Sequence, residues 1–179
     1  FGVDPHKQDD DVTEEEIISM VDDAHEQGVI EENEAEMIQN IMEFSETEAQ
    51  DIMTHRKNLH AIEENTLLKD ALSYMLDNSN SRYPVYREDI DNIIGILHLK
   101  DVMRQITLPE CENLPIGSIP NLVREAVYVP ETRSINDLFK RMQAKKIHLV
   151  VVVDEYGQTS GIVTMEDILE EIVGNILDE

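Results

Sequence analysis

The sequence predicts an α+β protein: two β-α-β-β-α repeats packed as a pseudo-twofold pair, preceded by an acidic helical arm. Three observations carry that prediction. The chain beyond residue 51 superimposes on itself in two halves. Each half passes through strand-like and helix-like apolar spacing in the same order. Residues 1–51 differ from both halves, with eighteen Asp and Glu against the single base Lys7, whereas the remainder carries 21 acids and 13 bases. The expected divisions are an arm over 1–51, a first repeat over 52–106 and a second over 119–179.

In the arm, Thr13 followed by Glu16 has the spacing of a capping box, in which side chain and backbone satisfy each other at a helix start. Ile17, Met20, Val21 and Ala24 then form an apolar stripe, and Gly28 supplies the left-handed residue that closes the helix. A second helix is expected with Met37, Ile38, Ile41 and Met42 on its inner face, and Ser45 and Glu48 should cap a short third one. The acids of the arm fit a solvated helix face or docking against a basic surface elsewhere in a larger protein.

The repeats align along most of their length. Ala61 to Glu64 with Leu68 to Leu72 matches Tyr128 to Glu131 with Ile135 to Phe139. After a one-residue adjustment, Arg82-Tyr83-Pro84-Val85-Tyr86 falls on His148-Leu149-Val150-Val151-Val152, and Gly95 to Asp101 falls on Gly161 to Asp167. A short strand leads each half. A helix follows, spaced by Leu67, Ala71, Tyr74 and Met75 in one half and by Ile135, Leu138, Phe139 and Met142 in the other. Two strands then flank a polar turn, Glu88 to Asn92 or Asp154 to Gln158, before the closing helix. One such unit leaves an apolar sheet face that a second copy can cover.

Composition bounds the function. A net charge of −25 opposes binding to a nucleic-acid backbone, which needs a basic stripe, but leaves room for a small nucleotide pocket. The single cysteine, Cys111, allows no internal disulfide and reads as incidental. The longest aliphatic run, Leu149 to Val153, is too short to cross a bilayer, so the chain is expected to be water-soluble. It begins at Phe1 and ends just after the apolar stretch Ile168 to Leu177, as expected of a portion of a larger protein. No phosphate-cradling Gly-x-x-x-x-Gly-Lys loop, Gly-x-Ser-x-Gly elbow or His-Glu-x-x-His helix occurs, and the six histidines lack ligand spacing, so neither catalysis nor a resident metal is expected. Asp89, Asp91 and Asn92 suggest a calcium loop, but Ile93 and Ile94 stand where a ligand and the obligatory glycine belong, and the segment reads as a solvated turn. Val151, Val152 and Val153 read as core strand.

The most chemical segment is Gly161-Ile162-Val163-Thr164-Met165-Glu166-Asp167-Ile168, a strand running directly into a helix. Thr164 and Asp167 have capping-box spacing, which alone accounts for them. A hydroxyl and a carboxylate at such a junction can also bind the two hydroxyls of a ribose, while the free backbone N–H groups attract phosphate.

The Gly-Ile-x-Thr-x-x-Asp pattern, the β-α-β-β-α order and the duplication resemble a CBS domain pair over residues 52–179. Ser81 to Tyr86, Val150 to Gly157 and Gly161 to Gly174 resemble more closely the CorC/HlyC-type group of magnesium and cobalt efflux proteins, related to the cyclin M transporters. The segment Gly28 to Glu34 and the run Asp51-Ile52-Met53-Thr54 look like that group's connection between membrane domain and CBS pair. The resemblance implies a regulatory module on the cytoplasmic side of the membrane that binds AMP, ADP or ATP, with Mg²⁺ as a companion of the phosphates. Thr164 and Asp167 would hold the ribose, Thr54 would approach the base, and Lys146, Ile147 and His148 would line the adenine slot, with Tyr83 nearby. Arg56, Arg82 and Lys146 are candidates for neutralising phosphate, as rare bases at strand entries. In the first repeat His98 replaces the hydroxyl residue while Asp101 is kept, so one good site and one degenerate site are expected.

Two rival functions remain at this level: a dimerisation module with an empty cleft, and a divalent-cation sensor using the arm's carboxylates. The chain is expected to form a homodimer through its CBS pairs, because Ile168, Leu169, Ile172 and Val173 of the last helix offer more apolar surface than one internal partner need cover. The membrane domain of the larger protein is the other expected partner.

Overall fold

The computed structural model describes residues 11–174. The first ten residues of the expected arm and the end of the Ile168 to Leu177 stretch lie outside them. The described residues divide into two compact units, one made of residues 46–169 and the other of residues 11–45 with 170–174.

The larger unit holds both repeats. Its first half runs β1 (Thr54–His55), β2 (Ile62–Glu63), α4 (Leu68–Asp77), β3 (Arg82–Arg87), β4 (Asp89–His98) and α5 (Leu99–Gln105). Its second half runs β5 (Val123–Arg124), β6 (Tyr128–Pro130), α6 (Ile135–Lys145), β7 (Leu149–Val153), β8 (Thr159–Thr164) and the start of α7 (Met165–Val173). The expected β-α-β-β-α order is present in both, but each half also exchanges a strand with the other. One sheet has the order β1-β8-β7-β6 and the other β2-β3-β4-β5. Thus β1 lies antiparallel to β8, with Thr54 opposite Ile162, and β5 lies antiparallel to β4, with Arg124 opposite Ile96.

This exchange explains the glycine that starts each Gly-Ile pair. A Cβ on Gly161 would collide with the Thr54 carbonyl oxygen, and one on Gly95 with the Arg124 carbonyl oxygen. Only a residue without a side chain lets the visiting strand come that close. The exchange continues before each strand. Ala49 N donates to Arg133 O and Ile135 N to Thr47 O, so the segment leading into the first repeat satisfies the start of α6. Leu68 N donates to Leu114 O and Ile116 N to Thr66 O, which does the same at α4. Residues 107–118, left between the repeats by the sequence reading, are therefore structural: Cys111 and Ile116 are buried with Ile119 and Leu122 in the first repeat's core, beside Leu68, Ala71, Met75, Tyr83 and Val85.

A second apolar cluster joins the halves. Ile93 and Ile96 of β4 pack with Leu149 and Val151 of β7 and with Ala126, flanked by Tyr86, Ile90 and Ile162. The Tyr128 hydroxyl donates across the halves to Ile93 O. An ion pair adds a polar tie: Arg56 lies 2.7 Å from Asp91 and also donates to Thr159 O, while the same Asp91 oxygen accepts from Thr159 N. Asp91 is thus a clamp between repeats rather than part of a solvated turn. The turn itself is tighter than expected, with Glu88 alone at positive φ and β4 resuming at Asp89 through an irregular register. The second hairpin turns where expected, with Asp154 N bonded to Gln158 O and Gly157 at positive φ.

In the smaller unit, α1 (Glu14–Glu26) begins with the reciprocal Thr13 and Glu16 box, and Gly28 follows it at positive φ. Along α2 (Glu32–Phe44), Ala35 and Phe44 are the buried residues, whereas Ile41 of the expected inner face is exposed. In the larger unit a single turn, α3 (Ala49–Ile52), precedes β1; Glu48 caps it with Asp51, while Ser45 instead ends α2. Of the α7 residues expected at the surface, Leu169 and Val173 are exposed, but Ile168 is fully buried and belongs to the core.

Candidate functional site

The junction of β8 and α7 places Thr164 and Asp167 on the wall of a cleft of 350 Å³ within the larger unit. That volume lies in the range of about 300–1,000 Å³ typical of small-molecule sites. Thr54 from β1 and Arg82 from the start of β3 also line it, so three segments distant in sequence meet through the strand exchange. The capping box is real: Thr164 N donates to Asp167 Oδ2 at 2.8 Å, and Asp167 N to Thr164 Oγ1 at 3.2 Å. Because these bonds use one carboxylate oxygen and one hydroxyl lone pair, the second carboxylate oxygen and the hydroxyl proton remain to serve a diol. The same geometry that starts the helix orients both groups.

Asn58, Leu59 and His60 from the stretch after β1, and Ser79, Asn80 and Ser81 from the α4–β3 loop, complete much of the wall. Sequence reasoning did not name these as site residues, although Ser81 opens one of the segments that carry the family resemblance. Their signal was available in the alignment, since Asn80 to Arg82 is the counterpart of Lys146 to His148. Arg82 is the arginine on this wall and so the candidate partner of an anion; its Nε is buried without a hydrogen-bond partner among the described residues.

A second cleft, of 170 Å³, adjoins the first, and Arg82 and His148 line both. Lys146 and Ile147 line this second cleft and not the first, together with His98, Ile96 and Arg124. The implied adenine slot is thus divided: only His148 of that trio reaches the cleft of Thr164 and Asp167. The pseudo-twofold relation gives the reason. A cleft takes its strand-helix junction from one half and its helix-strand loop from the other, so Thr164 goes with Ser81 and Arg82, and His98 goes with Lys146 and Ile147.

The remaining candidates lie elsewhere. Tyr83 is 0% exposed, donates to Met75 O and packs edge-on against Tyr74, and so is brought to neither cleft. Arg56 is held by Asp91 and Thr159. Asp101 is engaged by Arg124 at 2.6 Å, with Arg104 at 3.9 Å. His98 starts α5 without capping it through its side chain. Burial lowers the His98 imidazole below its ordinary pKa, and Arg124 and Arg82 push the same way against the opposing pull of Asp101.

The model for the CBS domain matches residues 49–108 and 116–174. This chain belongs to the CBS domain family, as a tandem pair of the CorC/HlyC type. The magnesium and cobalt efflux protein CorC of Pasteurella multocida is 38% identical over 165 residues, which cover 92% of this chain and 54% of that relative. The chain therefore spans about half the length of that relative. The CBS domain of a bacterial CNNM/CorC family Mg²⁺ transporter superimposes with a TM-score of 0.82 at 38% identity, covering 93% of this chain and 99% of that one. A structure of such a domain in complex with ATP superimposes with a TM-score of 0.73, again at 38% identity, over 79% of this chain and 97% of the other. Among the described residues, no helix is long and apolar enough to cross a membrane, and no three metal-ligating side chains converge.

Proposed function

We propose that this CBS pair binds an adenosine nucleotide in the cleft of Thr54, Arg82, Thr164 and Asp167, performs no chemistry on it, and reports its presence to a transport domain in the same longer protein. The observation that carries the reading is the junction of β8 and α7: a partly buried hydroxyl and carboxylate, oriented by their own capping bonds, line a cleft that Arg82 also lines. The diol of a ribose and an adjacent phosphate match these groups in type and charge. The ATP complex of a similar CBS domain supports the choice of ligand. The similarity to CorC proteins supports magnesium or cobalt efflux as the parent activity and the cytoplasmic face of a membrane as the location. Two copies would pair through exposed apolar helix faces, and Mg²⁺ would arrive with the nucleotide's phosphates.

Thermal unfolding with AMP, ADP and ATP tests the reading. A ligand bound only by the native cleft raises stability by about 2.7 kcal/mol at a hundredfold excess over Kd. A melting temperature indifferent to all three nucleotides at millimolar concentration would refute nucleotide binding. Calorimetric heat from Mg²⁺ alone would favour the direct cation sensor, and silence from both would leave a dimerisation module.

A further inference from the structure

The second cleft is chemically unlike the first. The first sets Glu166 and Asp167 against Arg82. The second gathers Arg82, Arg124 and Lys146 with the imidazoles of His98 and His148, and Glu125 is the acid on its wall. In a chain of net charge −25 with fourteen Lys and Arg, three of those bases line 170 Å³; Arg124 is paired with Asp101, while Arg82 and Lys146 have no ion pair among the described residues. The carboxylate here carries an ion pair for which Asp167 shows no counterpart: Arg124 holds Asp101 Oδ2 through both Nε and a terminal nitrogen, at 2.8 and 2.6 Å. The hydroxyl partner is missing as well, since His98 stands in its place. Arg124 is itself the counterpart of Thr54, because the two occupy matching positions on the exchanged strands. The exchange that offers a small hydroxyl residue to one cleft delivers a guanidinium to the other.

We infer that the second cleft takes a phosphate-type oxyanion and no nucleoside. The shared wall of Arg82 and His148 admits two sources for it, a free oxyanion or the polyphosphate of a nucleotide seated in the first cleft. Lys146 is the group to test. It ends α6 at φ 54°, in the left-handed region, and its side chain is exposed, so Lys146→Asn removes the charge while keeping a residue that tolerates this backbone.

The inference rests in part on the proposed nucleotide site, and the probes separate the two. Calorimetry on the full chain would use adenosine, AMP, ATP, orthophosphate and tripolyphosphate at low ionic strength, where such pairing is least screened. Tripolyphosphate should bind without any nucleoside, and Lys146→Asn should weaken it by about tenfold, the loss of one charge-assisted contact. If the nucleotide is the source, ATP binds more tightly than AMP, tripolyphosphate competes with ATP but not with adenosine, and Lys146→Asn removes the preference for ATP. If a free oxyanion is the source, AMP and orthophosphate bind together and ATP has no advantage. Asp167→Asn should weaken adenosine while leaving tripolyphosphate unaffected. Failure of adenosine, AMP and ATP with tripolyphosphate still bound would sink the nucleotide reading alone. No tripolyphosphate binding together with equal affinities for AMP and ATP, or binding that Lys146→Asn leaves intact, would overturn the oxyanion site.

Discussion

Thr164 and Asp167 do two things at once, and a substitution must be read for both. Asp167→Ala removes a charged acceptor from the proposed ribose site, which should raise the nucleotide Kd by about ten- to a hundredfold, or roughly 1.5 to 3 kcal/mol. It also opens the capping box of α7, costing about 1 kcal/mol of stability. Asp101→Ala should leave nucleotide affinity nearly unchanged, because Asp101 is tied to Arg124 and has no hydroxyl partner. Titrations of both variants, beside their urea midpoints, separate binding from folding; equal losses of affinity would contradict the assignment of the first cleft. The hydroxyl and the carboxylate were legible as a pair because their three-residue spacing is a local property. Tyr83 and Arg56 were not legible in the same way. An aromatic ring at a strand entry can face a cleft or the core, and only packing against Tyr74 and the Met75 carbonyl decides it. A base beside β1 can meet a ligand or a carboxylate, and Asp91, 35 residues away, settles that.

At the scale of elements, the exchanged strands govern the clefts. Gly161→Ala forces a methyl against the Thr54 backbone, and Gly95→Ala does the same against Arg124. Each should destabilise the fold by about 1–3 kcal/mol, the usual range for overpacking. The two should differ in function: Gly161→Ala displaces Thr54 and weakens nucleotide stabilisation, whereas Gly95→Ala acts on the second cleft. Urea unfolding with and without ATP measures both effects, and a Gly161→Ala protein of native stability would show that β1 does not approach β8 so closely. The repeat alignment displayed these glycines without their reason. Helices and hairpins follow from periodicity and turn residues, but two-residue strands such as β1 and β5 have no period to read. Their partners lie in the opposite half of the chain.

For the whole molecule, association is the property most exposed to test. In the larger unit α4 and α5 pack together and leave Tyr74, Leu76 and Met103 uncovered, with Leu76 at 62% and Met103 at 53% exposure. Twofold pairing is the commonest way to bury such surface. Self-repulsion at a net charge of −25 opposes it, so a homodimer should tighten with moderate salt, and with Mg-ATP if ligand favours the paired arrangement. Sedimentation at low and moderate salt, each with and without Mg-ATP, checks this. A monomer under all four conditions would remove the dimer, and a dimer insensitive to Mg-ATP would remove its coupling to the ligand.

The sequence by itself determined the α+β class, the duplication, the capped helices and the Thr164 and Asp167 junction. Each is written in contacts between residues near in the chain, or in a pattern that occurs twice. Tertiary structure alone decided which half supplies which wall of a cleft. It put Lys146 and Ile147 with His98 instead of Thr164, buried Ile168, and drew Cys111 and Ile116 from the segment between the repeats into the core. Those outcomes depend on strands that cross between halves, where a hydrogen-bonded pair such as Thr54 and Ile162 is separated by nearly the whole duplicated region. Local propensity carries no information about so distant a partner; the close approach of backbones at Gly95 and Gly161 does.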